Sequence, residues 1–213
     1  MAGELGRRRV VATARDGELL RLVGEQCAVM QPQLARAMGR TEHTARCLRR
    51  RWERAGWSRG AQLLASRPAL IWPTVRGLEL AGLPFKPWRP TPLGRLDHIV
   101  AAAEARLVVA KRRPEVGWVC ERELMREERL RGGSLAHRPD AEAHAPEGTA
   151  AVEVELTQKS RARWERIARE LCGRYEAVWY FAPTRLCGRL GGWAADAGLG
   201  RVQVIELPDP WRR

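Results

Sequence analysis

The sequence predicts a mixed α/β protein in two parts: a helical N-terminal part, and a C-terminal part in which helices flank a mixed central sheet. Basic charge is concentrated at one end. Residues 1–90 hold 17 Lys and Arg against 7 Asp and Glu, whereas residues 91–213 hold 21 against 18. The first part therefore has the electrostatic character of a polyanion-binding protein. In the second part, strands that alternate apolar and acidic residues are interleaved with segments of helical periodicity.

A proline-rich stretch marks the boundary between the two parts. "LPFKPWRPTPLG", residues 83–94, contains four prolines, and proline at this density cannot continue a helix or a central strand. We therefore predict domains at 1–83 and 96–213, joined by a stiff, extended linker at 84–95.

The N-terminal part carries a helix-turn-helix pattern. A first helix is predicted within residues 16–30 from its apolar periodicity. A second begins near Pro32 and ends at Gly39, and a third, capped by Thr41, ends at Gly56. Two helices joined by a tight, glycine-bearing turn are typical of DNA-binding proteins.

The third helix is rich in arginine, which favours double-stranded DNA as its partner. In the usual docking of this motif, the N-terminal residues of its second helix lie closest to the base edges. The candidate DNA-binding residues are His43, Arg46, Arg49, Arg50 and, beyond the helix, Arg59; Arg51 belongs to the same basic cluster.

The residues after this helix predict a β-hairpin wing. Two short apolar runs, 62–65 and 69–72, flank "SRP", and a short helix is predicted to start near Thr74. This ending resembles that of many winged-helix domains. The same residues also fit a small helical domain with a solvated arginine face.

The C-terminal part is predicted to alternate helices and strands. A helix from Leu96 to Arg112 is followed by three strands, and the last of these points its valines to one side and its glutamates to the other. The predicted elements are strands at 116–125, 140–145 and 150–156, a helix capped by Ser160, an apolar central strand at 177–183, a glycine-interrupted helix at 184–198 and a strand at 201–207.

This order of elements, with "RPD" at 138–140 and "VEVEL" at 152–156, resembles the PD-(D/E)XK nuclease superfamily over roughly residues 96–207. With the winged helix included, the whole chain resembles the replication-relaxation proteins of plasmids and other mobile elements. The resemblance implies a winged helix-turn-helix domain followed by an αβββαβ nuclease-like domain with a central mixed sheet.

Two carboxylates stand where such a nuclease would bind a metal. Asp140 enters one strand of a predicted hairpin and Glu153 lies on the other, so their side chains can converge. Two hard oxygen donors, completed by a backbone carbonyl and water, suit Mg²⁺ or Mn²⁺. The resemblance implies that these two residues are the metal ligands. It also matches Glu104, on the first helix of this part, to the additional acid that some members carry.

The sequence departs from the superfamily pattern at Glu155, where the family has a lysine that orients the attacking water. Lys159 has the same strand parity and could replace that lysine, provided that the chain bends after Leu156. Alternatively, Glu155 is a further metal ligand and Lys159 contacts phosphate. All four residues, Asp140, Glu153, Glu155 and Lys159, together with Glu104, are therefore candidate catalytic residues.

Two functions follow from this pattern. The first is a DNA endonuclease or nickase that acts in plasmid replication, relaxation or transfer. The second is a catalytically inactive DNA-binding accessory protein or repressor that uses the nuclease fold as a platform. The expected partners are double-stranded DNA, a second copy of the chain, and other replication or transfer proteins.

The remaining composition indicates the cytoplasm and excludes a membrane span. There is no run of about 18 apolar residues and no secretory signal at the N-terminus. The five cysteines are widely spaced and include no CxxC pair, so we expect buried, reduced thiols.

Overall fold

The computed structural model describes residues 10–90, 95–132 and 137–209 of the 213-residue chain. It confirms a mixed α/β protein: the described residues form eight helices, a three-stranded antiparallel sheet and a five-stranded mixed sheet. The chain divides into two compact units, called here the N-terminal unit (Met1–Pro90) and the C-terminal unit (Thr91–Arg213). This division falls inside the predicted linker, of which residues 91–94 lie outside the described residues.

The N-terminal unit consists of four helices and a small sheet. Its elements are α1 (Ala14–Glu25), β1 (Val29–Met30), α2 (Gln31–Met38), α3 (Glu42–Ala55), β2 (Ser58–Ala61), β3 (Leu70–Pro73) and α4 (Val75–Leu80). The strand order is β1-β3-β2, so β3, which comes last of these three strands in the sequence, lies between the other two.

The predicted ends of α2 and α3 and the start of α4 are confirmed, whereas the first helix, predicted within residues 16–30, begins at Ala14 and ends at Glu25. Gly39 and Gly56 end α2 and α3 in the left-handed region, with φ of 59° and 73°, which glycine adopts without steric penalty. The Thr41 side chain accepts a hydrogen bond from the Thr44 amide, and Thr74 caps α4 in the same way.

The hairpin of this unit starts earlier than predicted. The prediction placed its first strand at 62–65, but β2 pairs Ser58 with Pro73 and Ala61 with Leu70. The reason lies at the end of α3: its glycine cap returns the Trp57 amide to the Trp52 carbonyl at 2.9 Å, and the strand follows at once. Residues 62–65 lie in the connecting loop, where the Gln62 side chain donates to the Ala65 carbonyl at 2.6 Å.

The C-terminal unit is a five-stranded sheet with helices on both faces. Its elements are α5 (Leu96–Arg112), β4 (Gly117–Cys120), α6 (Glu121–Leu130), β5 (Ala141–Ala145), β6 (Gly148–Val154), α7 (Arg161–Cys172), β7 (Ala177–Ala182), α8 (Thr184–Asp196) and β8 (Val202–Glu206). The strands lie in sequence order; β4, β5 and β6 pair antiparallel, and β6, β7 and β8 pair parallel. The helices α7 and α8 provide the crossovers that parallel pairing requires.

The predicted strand at 116–125 is wrong in its second half. The strand ends at Cys120, and residues Glu121–Leu130 form α6. Good helix formers fill this segment, with two glutamates in its first turn and an arginine in its last, a distribution that suits the helix dipole. In the sequence, α6 connects β4 to β5, a connection for which no helix was predicted.

The two faces of the sheet have separate cores. On one face, α7 and α8 contribute Trp164, Leu171 and Leu186 to a core with the side chains of β7. On the other face, α5 packs Ala101 and Ala105 against strand residues. The alternation of β6 confirms the prediction, because its valines point to the α5 face, and β7 is an interior strand with β6 and β8 on either side.

All five cysteines are free thiols, but they are not uniformly buried as expected. Cys120 is buried, whereas Cys47 is exposed on the polar face of α3. Over the described ranges, no helix has both the length and the apolar character needed to cross a membrane.

Candidate functional site

The predicted DNA-binding residues lie on the outer face of the N-terminal unit. Helix α3 buries Ala45 and Trp52 and leaves its opposite face to solvent. His43, Arg46, Arg50 and, on β2, Arg59 are exposed, while Arg49 is half-buried and pairs with Glu53 at 3.5 Å. Four of the five candidates therefore present a basic or titratable group to solvent.

Arg51 is not part of this surface, although its neighbours in sequence are. Its guanidinium binds the buried carboxylate of Asp16, which also accepts hydrogen bonds from the Trp52 indole at 2.8 Å and from the Thr13 amide at 2.9 Å. Burial alone would raise the pKa of Asp16, but the bonds from Trp52 and Thr13 and the charge of Arg51 outweigh it and hold the pKa below its usual range. Arg51 thus joins α3 to α1 and serves stability.

Asp140 and Glu153 meet at one end of the C-terminal sheet: Asp140 directly precedes β5, and Glu153 lies on the neighbouring strand β6. The backbone brings them together: the Asp140 amide donates to the Val152 carbonyl at 3.0 Å, and the Val154 amide donates to Asp140 Oδ2 at 2.7 Å. Glu153 is almost fully buried, with 4% of its surface exposed. The two acids are thus neighbours, and Glu153 is shielded from solvent.

Each carboxylate is paired with a histidine. His98 Nε2 lies 2.9 Å from Asp140 Oδ1, and His137 Nε2 lies 3.0 Å from Glu153 Oε1. His98 belongs to the first turn of α5, and His137 precedes β5. The site is therefore assembled from a helix, a loop and two strands.

The proximity of these groups changes their protonation. Burial, together with the charge of Asp140, raises the pKa of Glu153 to about 7, and the bond from His137 opposes this. The hydrogen bonds to Glu153 and Asp140 raise the pKa of His137 and of His98. Near neutral pH, the site therefore retains protons that the free groups would release.

Lys159 returns to the site although it lies beyond the end of β6. The strand ends at Val154, and the amide of the next residue, Glu155, donates to the Phe181 carbonyl at 2.9 Å. The Lys159 Nζ lies 2.5 Å from Glu155 Oε2. Two arginines of α8 hold this turn: Arg185 donates to the Leu156 carbonyl at 2.7 Å, and Arg189 binds the Gln158 side chain. The bend that the sequence argument required is present, and it places the ammonium on the buried Glu155.

Glu104 is buried on α5, with 2% of its surface exposed. It lies further along the helix than His98, and it is His98 that binds Asp140. Helix α5 thus contributes an imidazole to the paired carboxylates, and the catalytic role of Glu104 stays a prediction.

Sequence reasoning missed both histidines. His137 stands three residues before Asp140 in "HRPD", and this proximity was a usable signal. His98 is remote in sequence, and only the packing of α5 against the sheet brings it to Asp140. Neither histidine has the spacing of a zinc site, which is why the pattern gave them no role.

Tyr180 lies beside the same carboxylates. It pairs with Glu153 in the register of β6 and β7, and its side chain is buried among the residues that α7 covers. Burial raises the pKa of its hydroxyl, and the charges of Glu153 and Glu155 raise it further. The hydroxyl therefore keeps its proton and is available as a hydrogen-bond donor.

The donor set fits a divalent ion only in part. Asp140 and Glu153 supply hard oxygens. Burial is the main cause of the raised pKa of Glu153, and the charge of Asp140 adds to it; a cation would relieve this repulsion. Within the described residues, however, no three His, Cys, Asp or Glu side chains are grouped as they would be to hold an ion. An ion here would need backbone carbonyl, water or phosphate oxygens to complete its coordination.

A scan against protein-family models and a search of curated proteins found no match to this sequence.

Proposed function

We propose that this protein is a DNA-binding, divalent-metal-dependent phosphodiesterase that nicks or cuts DNA. The observation that carries the proposal is the meeting of Asp140, just before β5, with Glu153 on β6, while the turn after β6 places the ammonium of Lys159 on the nearby Glu155. Burying acidic side chains costs folding stability, and buried acids with perturbed pKa values are concentrated at functional sites. Plasmid replication, relaxation or transfer is the setting that the sequence resemblance suggests.

The N-terminal unit supports a winged helix in this proposal. Its order of elements is helix, strand, two helices, and then the hairpin of β2 and β3. Strand β3 lies between β1 and β2 in the sheet. The arginine-rich α3 is the second helix of the helix-turn-helix pair and exposes Arg46 and Arg50. An exposed basic helix of this kind fits the major groove of DNA.

The C-terminal unit supports a nuclease-like fold of the PD-(D/E)XK type. A helix, three antiparallel strands, a helix and a parallel strand follow in that order, with α6 added between the first two strands. Asp140 directly precedes the second of these strands and Glu153 lies on the third, so the two acids meet at one end of the sheet. This arrangement supports the proposed fold.

In the proposed mechanism, Asp140 and Glu153 would hold Mg²⁺ or Mn²⁺, which would supply polarisation of the phosphodiester and a lowered pKa of a water molecule. His98 and His137 orient the two carboxylates through their Nε2 atoms, as hydrogen-bond partners of metal ligands commonly do. Lys159, positioned by Glu155, binds the attacking water or a phosphate oxygen through its ammonium.

The test is a nicking assay on supercoiled plasmid with Mg²⁺, Mn²⁺ or EDTA. Wild-type protein should relax the plasmid only with metal, and Asp140→Ala should not. Glu142→Ala is the matched control. Glu142 lies on β5, two residues after Asp140, and accepts a hydrogen bond from the Tyr175 hydroxyl at 2.7 Å. This variant should therefore retain activity. Equal nicking by wild type and Asp140→Ala, or none by wild type with either metal, would reject the nuclease proposal.

The second candidate is a DNA-binding protein without catalysis. It is favoured by the internal pairing of the acids: His98 binds Asp140, His137 binds Glu153, and Lys159 binds Glu155. Such pairing neutralises the site without an ion. DNA binding by wild type and by Asp140→Ala with equal affinity, together with an absence of nicking, would favour this candidate.

A further inference from the structure

The chain has two tyrosines, and both lie against glutamates of the C-terminal sheet. Tyr175 donates its hydroxyl to Glu142 Oε1 at 2.7 Å. Tyr180 lies on the same face of the sheet, 1% exposed, beside Glu153 and Glu155. Its hydroxyl has no hydrogen-bond partner within the part of the chain that the structure describes. One tyrosine therefore has an acidic acceptor, and the other lies near two without being bonded to either.

A second buried donor lies next to Tyr180. The rings of Trp164 and Tyr180 pack with their centroids 5.3 Å apart. Trp164 is 1% exposed, and its indole Nε1, like the Tyr180 hydroxyl, has no partner among the described residues. Two buried donors without a partner among the described residues thus belong to packed rings, and one of them, Tyr180, pairs with Glu153 in the register of β6 and β7.

Buried polar groups are rarely left unpaired, because losing water without gaining a hydrogen bond costs stability. A buried water molecule typically makes two to four hydrogen bonds to such groups. Water can accept from two donors and donate to a carboxylate, which is the complement of what Tyr180, Trp164 and the glutamates offer. An anion would be repelled by Glu153 and Glu155.

We propose that an enclosed water molecule joins the Tyr180 hydroxyl and the Trp164 indole to the Glu153 carboxylate, and that Tyr180 is thereby a positioning residue for Glu153. The catalytic meaning of this role rests on the proposed function. The hydrogen-bonded link itself does not, because it concerns only groups that the fold brings together.

The link is tested by Tyr180→Phe in the full chain, with Tyr175→Phe as the matched control, since each variant removes one hydroxyl from the same face. The readout is the ¹³C resonance of the Glu153 side-chain carboxyl at fixed pH and without metal, assigned by its loss in Glu153→Gln. We expect it to move in Tyr180→Phe and to stay in place in Tyr175→Phe. A merely structural hydroxyl would leave this resonance unchanged in both.

Urea denaturation of the same variants separates the link from loss of packing. A linked hydroxyl makes Tyr180→Phe less stable than wild type, whereas an unpaired hydroxyl makes it equally or more stable. The proposal is overturned if the Glu153 resonance does not move, whatever the stability.

The proposed function is judged separately by the response to metal. If Mn²⁺ raises the melting temperature of wild type, Tyr180→Phe should need about tenfold more Mn²⁺ for half of that rise. If Mn²⁺ has no effect on wild type, the metal-dependent function fails, and the Glu153 resonance still decides the link. An unshifted Mn²⁺ requirement in Tyr180→Phe would overturn the positioning role.

Discussion

At the scale of single residues, Lys159 and Glu155 form the pair on which both stability and the proposed chemistry depend. The Glu155 side chain is 4% exposed, and Lys159 Nζ lies 2.5 Å from it. Lys159→Ala should lower the free energy of unfolding by about 2 kcal/mol, because a buried carboxylate loses its partner. Lys159→Ala should also abolish metal-dependent cleavage. Lys159→Arg should keep only part of the wild-type cleavage activity, since a guanidinium is planar and larger than an ammonium. Urea denaturation and plasmid nicking measure the two effects.

Two further variants separate charge pairing from general damage. Glu155→Ala with Lys159→Ala should lose less stability than the sum of the single variants, because no unpaired charge remains. Lys111→Ala, at an exposed position on α5, should change stability by less than about 0.5 kcal/mol. Wild-type cleavage by Lys159→Ala would contradict the role of its ammonium.

Asp16 predicts how the stability of the N-terminal unit depends on pH. Its folded pKa lies below its usual value because the bonds from Trp52 and Thr13 and the charge of Arg51 outweigh burial. The stabilisation is therefore fully present above the unfolded pKa of about 3.9 and is lost as pH falls through the lower folded value. Asp16→Asn should be less stable than wild type at pH 7, and the difference should shrink below about pH 4.

Denaturation midpoints measured between pH 3 and pH 7 test this dependence. Glu42→Gln is the control, because Glu42 is an exposed acid in the same unit. Its stability should follow that of wild type at every pH. A difference between Asp16→Asn and wild type that stays constant from pH 7 to pH 3 would show that the ionised carboxylate is not what stabilises the unit.

At the scale of elements, α3 presents two adjacent arginines with opposite roles. Arg50 is exposed, whereas Arg51 binds Asp16 beneath the helix. Arg50→Ala should weaken DNA binding, and the slope of log K against log salt should fall by about 0.9 for the lost phosphate contact. Its thermal stability should stay near that of wild type.

Arg51→Ala is the matched comparison, one residue away on the same helix. It should lower the melting temperature, because it leaves a buried carboxylate without its cation, and folded protein should keep the wild-type salt slope. Fluorescence anisotropy with duplex DNA at several salt concentrations measures both variants. The assignment of the two roles is wrong if Arg51→Ala lowers the slope and Arg50→Ala does not.

Elements with local signals were predictable, and those that depend on distant packing were not. Gly39, Thr41 and Ser160 mark helix ends through their own backbone and side-chain chemistry, and each occupies the predicted cap. Helix α6 was missed because "VGWVC" reads as a strand and the prediction extended it to residue 125, although the residues after Cys120 are good helix formers; the strand ends where its pairing with β5 ends.

The same limit applies to the site. The approach of Asp140 to Glu153 follows from a hairpin whose alternation is visible in the sequence. The histidines and Tyr180 enter from a helix, a loop and a parallel strand, and their positions depend on tertiary packing. No spacing rule connects them to the carboxylates.

At the scale of the whole molecule, charge divides between the two units. Residues 1–90 carry 17 basic against 7 acidic residues, and residues 91–213 carry 21 against 18. DNA affinity should therefore reside mainly in the N-terminal unit and fall steeply with salt. A 91–213 fragment, shown to be folded by circular dichroism, should bind duplex DNA far more weakly than the full chain. Equal affinities would place the DNA-binding surface in the C-terminal unit.

The connections of the five-stranded sheet also set an order of assembly in time. Strands β5 and β6 are joined by a two-residue turn, whereas β7 follows only after α7. Closing a short hairpin loses less chain entropy than forming a parallel pair across a helix, so the hairpin is expected to form first. Pulse-labelled hydrogen exchange should show protection of the β5 and β6 amides before those of β7.

Asp140 and Glu153 would then meet while still in water, where both are charged. Glu153 would gain its higher proton affinity only when β7 and α7 cover it. The protonation of this acid therefore changes in the last steps of folding.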